Sequence, residues 1–185
     1  MILYTERLCL RPWEETDAES LYMYAQDPDI GPPAGWPPNQ SVEESLQCNR
    51  TILSVPETYA ICEKQNGIAI GSISLKLKGH TNMTDRDDEC ELGYWIGKPF
   101  WGRGYMPEAA AELLRHAFEN LGMRAVWCGY YDGNIKSKRV QEKLGFEYQY
   151  THPAVPVPLL GETRVGITNR LTKQQWLDKH KQQKA

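Results

Sequence analysis

Residues 90–131 constrain this chain more than any other stretch. Cys90–Ile96 is apolar and aromatic and reads as a strand. Pro99–Gly104 is a turn-rich break. From Pro107 onward, Ala110, Leu113, Leu114, Ala117, Phe118 and Leu121 recur at helical spacing, and Gly122 ends the run. Ala125–Tyr131 reads as a second strand. A strand, a helix and a strand in this order make the two strands parallel, joined by a right-handed crossover. Any fold of this chain must therefore hold a parallel pair.

The flanking segments predict antiparallel structure. Arg7–Pro12 alternates, with Leu8 and Leu10 on one side, and reads as a strand. Thr16-x-x-Glu19 forms a capping-box pattern before Leu21, Tyr22 and Ala25, so a helix is expected from about 17 until Pro28. Asp27–Asn39 contains five prolines and two glycines and predicts a long irregular loop, a kind that often carries function. Ser41-x-x-Glu44 opens a second helix, to about Leu53. Thr58–Glu63 and Ile68–Lys78 read as a hairpin around Asn66-Gly67, and Gly79–Asp88 as a polar loop. Asn134 caps a helix from 135 that Gly145 ends. Phe146–Thr151 and Thr163–Asn169 predict two more strands. Thr172-x-x-Gln175 opens a last helix, and the Lys- and Gln-rich tail is expected to be solvated. No repeat is apparent, so residues 1–185 are expected to form a single domain.

Composition narrows the function classes. With 24 acidic and 21 basic residues the net charge is −3, against a general nucleic-acid binder. An anion site built from backbone amides stays open, because it leaves no trace in the charge count. The five cysteines (Cys9, Cys48, Cys62, Cys90, Cys128) and four scattered histidines have neither disulfide nor zinc spacing. They predict reduced core thiols, a cytoplasmic location and no metal. With no apolar run of membrane length and no apolar leader, no membrane segment or signal peptide is expected.

Chemistry concentrates at Trp101-Gly102-Arg103-Gly104-Tyr105-Met106-Pro107-Glu108. Glycines let a backbone turn tightly and let a ligand approach it. The first amides of a helix are unpaired and lie at its positive end, which suits a phosphate. A Walker loop would need Gly-Lys-Ser/Thr, and a dinucleotide fingerprint a third glycine where Pro107 stands. On the local pattern alone, a plain tight turn fits as well.

Four segments together resemble the GNAT family of N-acetyltransferases: Thr5–Pro12, Glu91–Ile96, Trp101–Ala109 and Asn134–Phe146, in that order. They resemble the branch containing the ribosomal-protein N-terminal acetyltransferases (RimJ/RimL-like). The resemblance implies an α+β fold: a mixed, mostly antiparallel sheet of about seven strands flanked by helices, with one parallel β-α-β pair splayed at the coenzyme site. Gly93 is then a candidate for a bulge that causes the splay. The implied activity is acetyl transfer from acetyl-CoA to a primary amine.

The resemblance also implies the site. The pyrophosphate would lie on the loop of Trp101, Gly102, Arg103, Gly104, Tyr105 and Met106. Trp101 and Met106 depart from the family's commoner residues at their positions. The pantetheine arm would pair with Tyr94, Trp95 and Ile96. Asn134, Ser137 and Lys138 would complete the coenzyme contacts, although Asn134 reads equally as an N-cap and Lys138 as surface charge. Glu91 is the candidate base, and a solvated strand glutamate is the plainer alternative. Ser137, three residues after Asn134 and on the same helix face, would donate to the departing sulfur or be only a first-turn serine. Gln141 stands where many family members have an acidic tyrosine.

An amine attacks only when neutral. A lysine-like amine has a pKa of about 10.4 and a peptide α-amine about 7.7–8.0, so the second needs little help at neutral pH. Trp36 in the 27–39 loop, the Pro153–Pro158 region and Glu91 are expected to shape the acceptor cleft. Asp27, Asp29, Glu43 and Glu44 could attract an ammonium group. A protein N-terminus is the first expectation for the acceptor. A polyamine or aminoglycoside and a non-catalytic acyl-CoA-binding module are the alternatives. A monomer and a homodimer are both compatible with the sequence.

Overall fold

The computed structural model describes residues 1–182, so the end of the Lys- and Gln-rich tail lies outside the described residues. Its strands are β1 (Leu3–Tyr4), β2 (Leu8–Arg11), β3 (Thr58–Glu63), β4 (Ala69–Lys76), β5 (Glu89–Ile96), β6 (Ala125–Tyr131), β7 (Glu147–Val157) and β8 (Glu162–Thr172). Its helices are α1 (Ala18–Ala25), α2 (Gly31–Ala34), α3 (Val42–Cys48), α4 (Tyr105–Arg115), α5 (Ile135–Leu144) and α6 (Lys173–Gln182). The strands form one sheet in the order β1-β2-β3-β4-β5-β6-β8-β7. Among the described residues only β5 and β6 pair in parallel, joined through α4.

Helices cover both faces. On one face Leu113, Leu114, Ala117 and Phe118 of α4 and its continuation pack with Leu92, Cys90, Ile73 and Leu75 of the sheet and with Trp176 of α6. Burial of such side chains is the main favourable term in folding, about 1.5–3 kcal/mol for each large one. On the other face Leu21 and Ala25 of α1 pack with Trp13, Ala60, Cys62 and Ala69, and Trp36 and Trp95 lie against them. Alternation along β5 therefore sends Cys90, Leu92 and Tyr94 toward α4 and α5, and Glu91, Gly93 and Trp95 to the opposite side.

The structure departs from the sequence reading in six places. The sheet has eight strands rather than about seven, because Leu3–Tyr4 adds a short strand with Leu3 buried. The capping box before α1 joins Glu14 and Asp17 rather than Thr16 and Glu19, since Asp17 is also held by Arg11 at 2.7 Å. Residues 27–39 are not wholly irregular: Gly31–Ala34 makes a helical turn that Gly35 ends at φ 96°. The central helix starts at Tyr105, two residues before Pro107, because Gly104 at φ 78° caps it. β7 runs on through Pro153 and Pro156, which an edge strand tolerates. The β4–β5 register passes through Ser74↔Gly93 without a shift, so Gly93 is not a bulge.

Two other caps stand as the sequence predicts. Ser41 Oγ accepts from the Glu44 amide at 3.1 Å, and Thr172 and Gln175 bond reciprocally.

Candidate active site

The splay needs no bulge at Gly93. The parallel ladder runs Glu89↔Ala125, Cys90↔Val126, Glu91↔Trp127 and stops there. Beyond it the two strands are held by different partners. The Gly97 amide donates to the Ile70 carbonyl at 2.8 Å, so residues 93, 95 and 97 direct their main-chain groups toward β4. Those of Leu92, Tyr94 and Ile96 face the gap. On the β6 side, the Tyr131 carbonyl accepts the Asn134 amide at 3.0 Å and the Gly129 carbonyl accepts Gln141 Nε2 at 3.3 Å. Trp101 Nε1 takes the Ile96 carbonyl at 3.0 Å. The gap thus has a β6 edge whose carbonyls are capped and a β5 edge where the main chain of Tyr94 is open to an extended ligand.

The glycine loop lies beside that edge. Gly102 and Gly104 have φ of 75° and 78°, a left-handed region that glycine enters without penalty. Glu108 is the residue whose amide bonds back to the Gly104 carbonyl, at 3.2 Å. The amides of Tyr105 and Met106 precede it in the unpaired first turn, and Pro107 has none to lose. The Met106 side chain is buried, and the Tyr105 hydroxyl donates to Glu63 at 2.9 Å. What these two residues offer a ligand is main chain. Arg103 stacks over Phe100 at 5.5 Å, and Trp101 lies under the Lys136 ammonium at 4.0 Å. Lys136 is a cation that the sequence reading, which named Lys138, did not single out. Lys138 is half exposed and 3.8 Å from Glu142.

The loop is braced from the first strand region. Arg7 Nη1 donates to the Arg103 carbonyl at 3.0 Å, and Arg7 Nε and amide both donate to Glu108, at 2.7 and 2.8 Å. Thr5 Oγ1 donates to the same carboxylate at 2.5 Å. Burial pushes the Glu108 pKa up, but these hydrogen bonds and the Arg7 charge outweigh it and leave it below the ordinary glutamate value. Thr5 and Arg7 therefore earn their place beside the loop by position, a link that sequence spacing cannot reveal.

Asn134 and Ser137 come together as the spacing predicts. Asn134 Oδ1 accepts the Ser137 amide at 3.2 Å, an N-cap. Asn134 Nδ2 also donates to the Pro33 carbonyl at 3.3 Å, which ties the 27–39 segment to α5. Ser137 Oγ lies 3.0 Å from the Tyr94 hydroxyl and 3.2 Å from Gln141 Nε2. Burial pushes the Tyr94 hydroxyl well above the ordinary tyrosine range, so it stays protonated at neutral pH. The sequence reading sought a tyrosine on α5. A tyrosine on β5 reaches the same place from across the gap.

Glu91 sits on the other side of the sheet. Its carboxylate accepts from Lys76 Nζ at 2.6 Å and from Thr81 Oγ1 at 2.5 Å. Thr81 in turn accepts the Met83 amide, and Met83 Cε lies 2.5 Å from where a Cβ on Gly129 would stand. Glu91 therefore also anchors the 79–88 loop over β6. Trp36 is on this same side and partly buried: it meets Trp95 edge-on at 5.9 Å and packs on Gly31. Arg164 holds this segment by donating to the Pro32 carbonyl at 2.6 Å. The acidic residues proposed to attract an ammonium group are partly committed elsewhere. Asp29 is paired with Lys98 at 2.5 Å, and Glu44 accepts the Gln40 amide. Three cysteines are buried and none is paired.

The geometry is a sheet with a gap: main-chain donors and a hydroxyl pair on one side, a carboxylate on the other. The acetyltransferase (GNAT) domain model matches residues 7–147, and the chain belongs to the GNAT acetyltransferase family. It is 28% identical over 151 residues to a Bacillus licheniformis protein described as "Uncharacterized N-acetyltransferase p20", across 78% of this chain and 82% of that one. It is 37% identical over 81 residues to the Bacillus subtilis protein described as "Putative ribosomal N-acetyltransferase YdaF", across 44% and 42% of the two chains. The structure of a GNAT-family acetyltransferase from Bacillus anthracis superposes with a TM-score of 0.81 at 19% identity, covering 94% of this chain and 99% of that one. The protein is an acyltransferase of the N-acetyltransferase class, a family whose acetyl donor is acetyl-CoA. Among the described residues no helix is long and apolar enough to cross a membrane.

Proposed function

We propose that this chain binds acetyl-CoA in the β5–β6 gap and transfers the acetyl group to a primary amine, a protein N-terminal α-amine first. The observation that carries the reading is the open main chain of Tyr94 on β5 next to the glycine-gated start of α4. An extended, diphosphate-bearing thioester has one end suited to each. The pyrophosphate would take the amides of the 102–106 loop, with Arg103 on the loop and Lys136 over the Trp101 ring as cations beside it. The pantetheine would pair with β5 at Tyr94 and Ile96. Asn134 fixes the start of α5 so that Ser137 faces the gap.

The sheet then separates the two halves of the reaction. The amine approaches from the Glu91 side and the sulfur leaves on the Ser137 side. A nitrogen–carbon bond forms and the carbon–sulfur bond breaks. The proton from nitrogen passes to Glu91, directly or through water, and the sulfur takes a proton through the Ser137 hydroxyl, which solvent replenishes. Glu91 exchanges its Thr81 or Lys76 partner to do this. The likeness to a protein named for ribosomal acetylation supports the α-amine as acceptor, as does its low pKa of about 7.7–8.0.

The test is thiol release from acetyl-CoA with a panel of peptides bearing free N-termini, polyamines and aminoglycosides. Fastest release with the peptides supports the reading. Fastest release with polyamines or aminoglycosides moves the acceptor to small molecules. Binding of acetyl-CoA with no release for any amine leaves a coenzyme-binding module.

A further inference from the structure

Gln141 is completely buried at the center of the site, between α5 and the sheet, and both ends of its amide are fixed. Nε2 lies 3.3 Å from the Gly129 carbonyl oxygen, which can only accept. The nitrogen rather than the oxygen must therefore face β6. Oε1 accepts from Asn169 Nδ2 at 2.8 Å, and Asn169 is itself buried. The second N–H of Gln141 is left for Ser137 Oγ, 3.2 Å away.

That fixes one side of the chain: Ser137 is the acceptor toward Gln141. Ser137 Oγ receives a hydrogen bond from Gln141, so its own proton must go to a different acceptor. The Tyr94 hydroxyl, 3.0 Å away, donates to the Ser137 carbonyl at 3.2 Å and has a lone pair to accept that proton. We propose that Gln141 is a positioning residue for acetyl transfer: it holds the Ser137 hydroxyl as a donor, hydrogen-bonded to the Tyr94 oxygen until the departing sulfur takes the Ser137 proton. A side-chain amide cannot take up or lose a proton at neutral pH, so the polarity stays the same through turnover. Donation into Ser137 also polarises its O–H bond and strengthens it as a donor. This inference rests on the proposed role of Ser137 in the transfer.

The experiment is a double-mutant cycle read by thiol release, with acetyl-CoA and the fastest acceptor of the panel above. Gln141→Leu is expected to lower kcat about 10- to 100-fold, the scale of a misplaced catalytic group, with the KM for acetyl-CoA within about twofold. In the Ser137→Ala background the same substitution is expected to cost less than about twofold more, because the hydroxyl it positions is gone. A full-rate Gln141→Leu, or an effect of equal size in both backgrounds, overturns the positioning role. A full-rate Ser137→Ala overturns the role of Ser137 itself, an outcome distinct from a slow Ser137→Ala beside a full-rate Gln141→Leu. If Gln141→Leu does not fold, Gln141→Glu decides. Its carboxyl can donate to Ser137 only when protonated, so its rate relative to the unsubstituted protein must rise as pH falls. A flat ratio contradicts the inference.

Discussion

Tyr94 Oη and Ser137 Oγ stand 3.0 Å apart across the opening between β5 and the first turn of α5. One hydroxyl comes from the strand the pantetheine would pair with, the other from the helix that closes the gap. Removing either changes where a proton rests near the sulfur. Ser137→Ala is expected to lower kcat about 100-fold, the low end for a lost proton donor. Tyr94→Phe is expected to cost about 3- to 10-fold, since Ser137 keeps its proton but loses the group that holds it. Steady-state rates with acetyl-CoA check both. A Tyr94→Phe loss larger than that of Ser137→Ala would make Tyr94 the direct donor.

Glu91 predicts a pH signature. The neutral fraction of an α-amine falls about tenfold per pH unit below its pKa of about 7.7–8.0, so a base matters most there. Glu91→Gln is expected to lower kcat/KM about 100-fold near pH 6.5, with the deficit narrowing as pH rises through 9. A deficit constant across that range would exclude Glu91 as the base and leave it as the anchor of Lys76 and Thr81.

The Glu108 bridge to Thr5 and Arg7 predicts a stability signature of definite sign. The folded pKa is depressed, so the contribution is present above the unfolded glutamate value of about 4.3 and is lost as pH falls through the lower folded value. Glu108→Gln is expected to cost about 1–2 kcal/mol at pH 7, discounted for the part-exposed Arg7. Urea unfolding at pH 7 and near pH 3.5 should show the gap shrinking at the lower pH. A gap independent of pH would contradict the charge-based account of this brace.

Gly104→Ala tests the loop. The added Cβ would meet only Arg7 Nη2 at 3.5 Å, so the cost comes from φ 78°, about 1–2 kcal/mol. Gly122→Ala is the control, with φ 70° and nothing within 4 Å. Both substitutions should lower stability comparably. Only Gly104→Ala should also weaken acetyl-CoA, and an equal effect of the two on affinity would remove the loop from the binding site.

Much of this site was legible in the sequence because its parts are local. Gly102 and Gly104 just before a helix, and Asn134 three residues before Ser137, are short-range patterns with fixed geometry. The crossover from β5 to β6 followed from order alone. What failed was set by partners distant in the chain. Leu3–Tyr4 is too short to show alternation and becomes a strand only against β2. β7 exposes most of its residues at the sheet edge, so it has no buried face to leave a period-two pattern. Gly93 is a candidate for the splay on sequence because glycine in a strand suggests a bulge. The splay arises instead where side chains and a helix start cap the β6 edge. Gln141 stands where an acidic tyrosine is common, and the sequence carries no trace of the groups it meets at Gly129, Ser137 and Asn169.

Calorimetric titration of the protein with acetyl-CoA tests the central claim most directly. One site per chain with a dissociation constant in the micromolar range, weakened by Gly104→Ala and unchanged by Gly122→Ala, is the predicted result. No heat of binding at several hundred micromolar acetyl-CoA would contradict it.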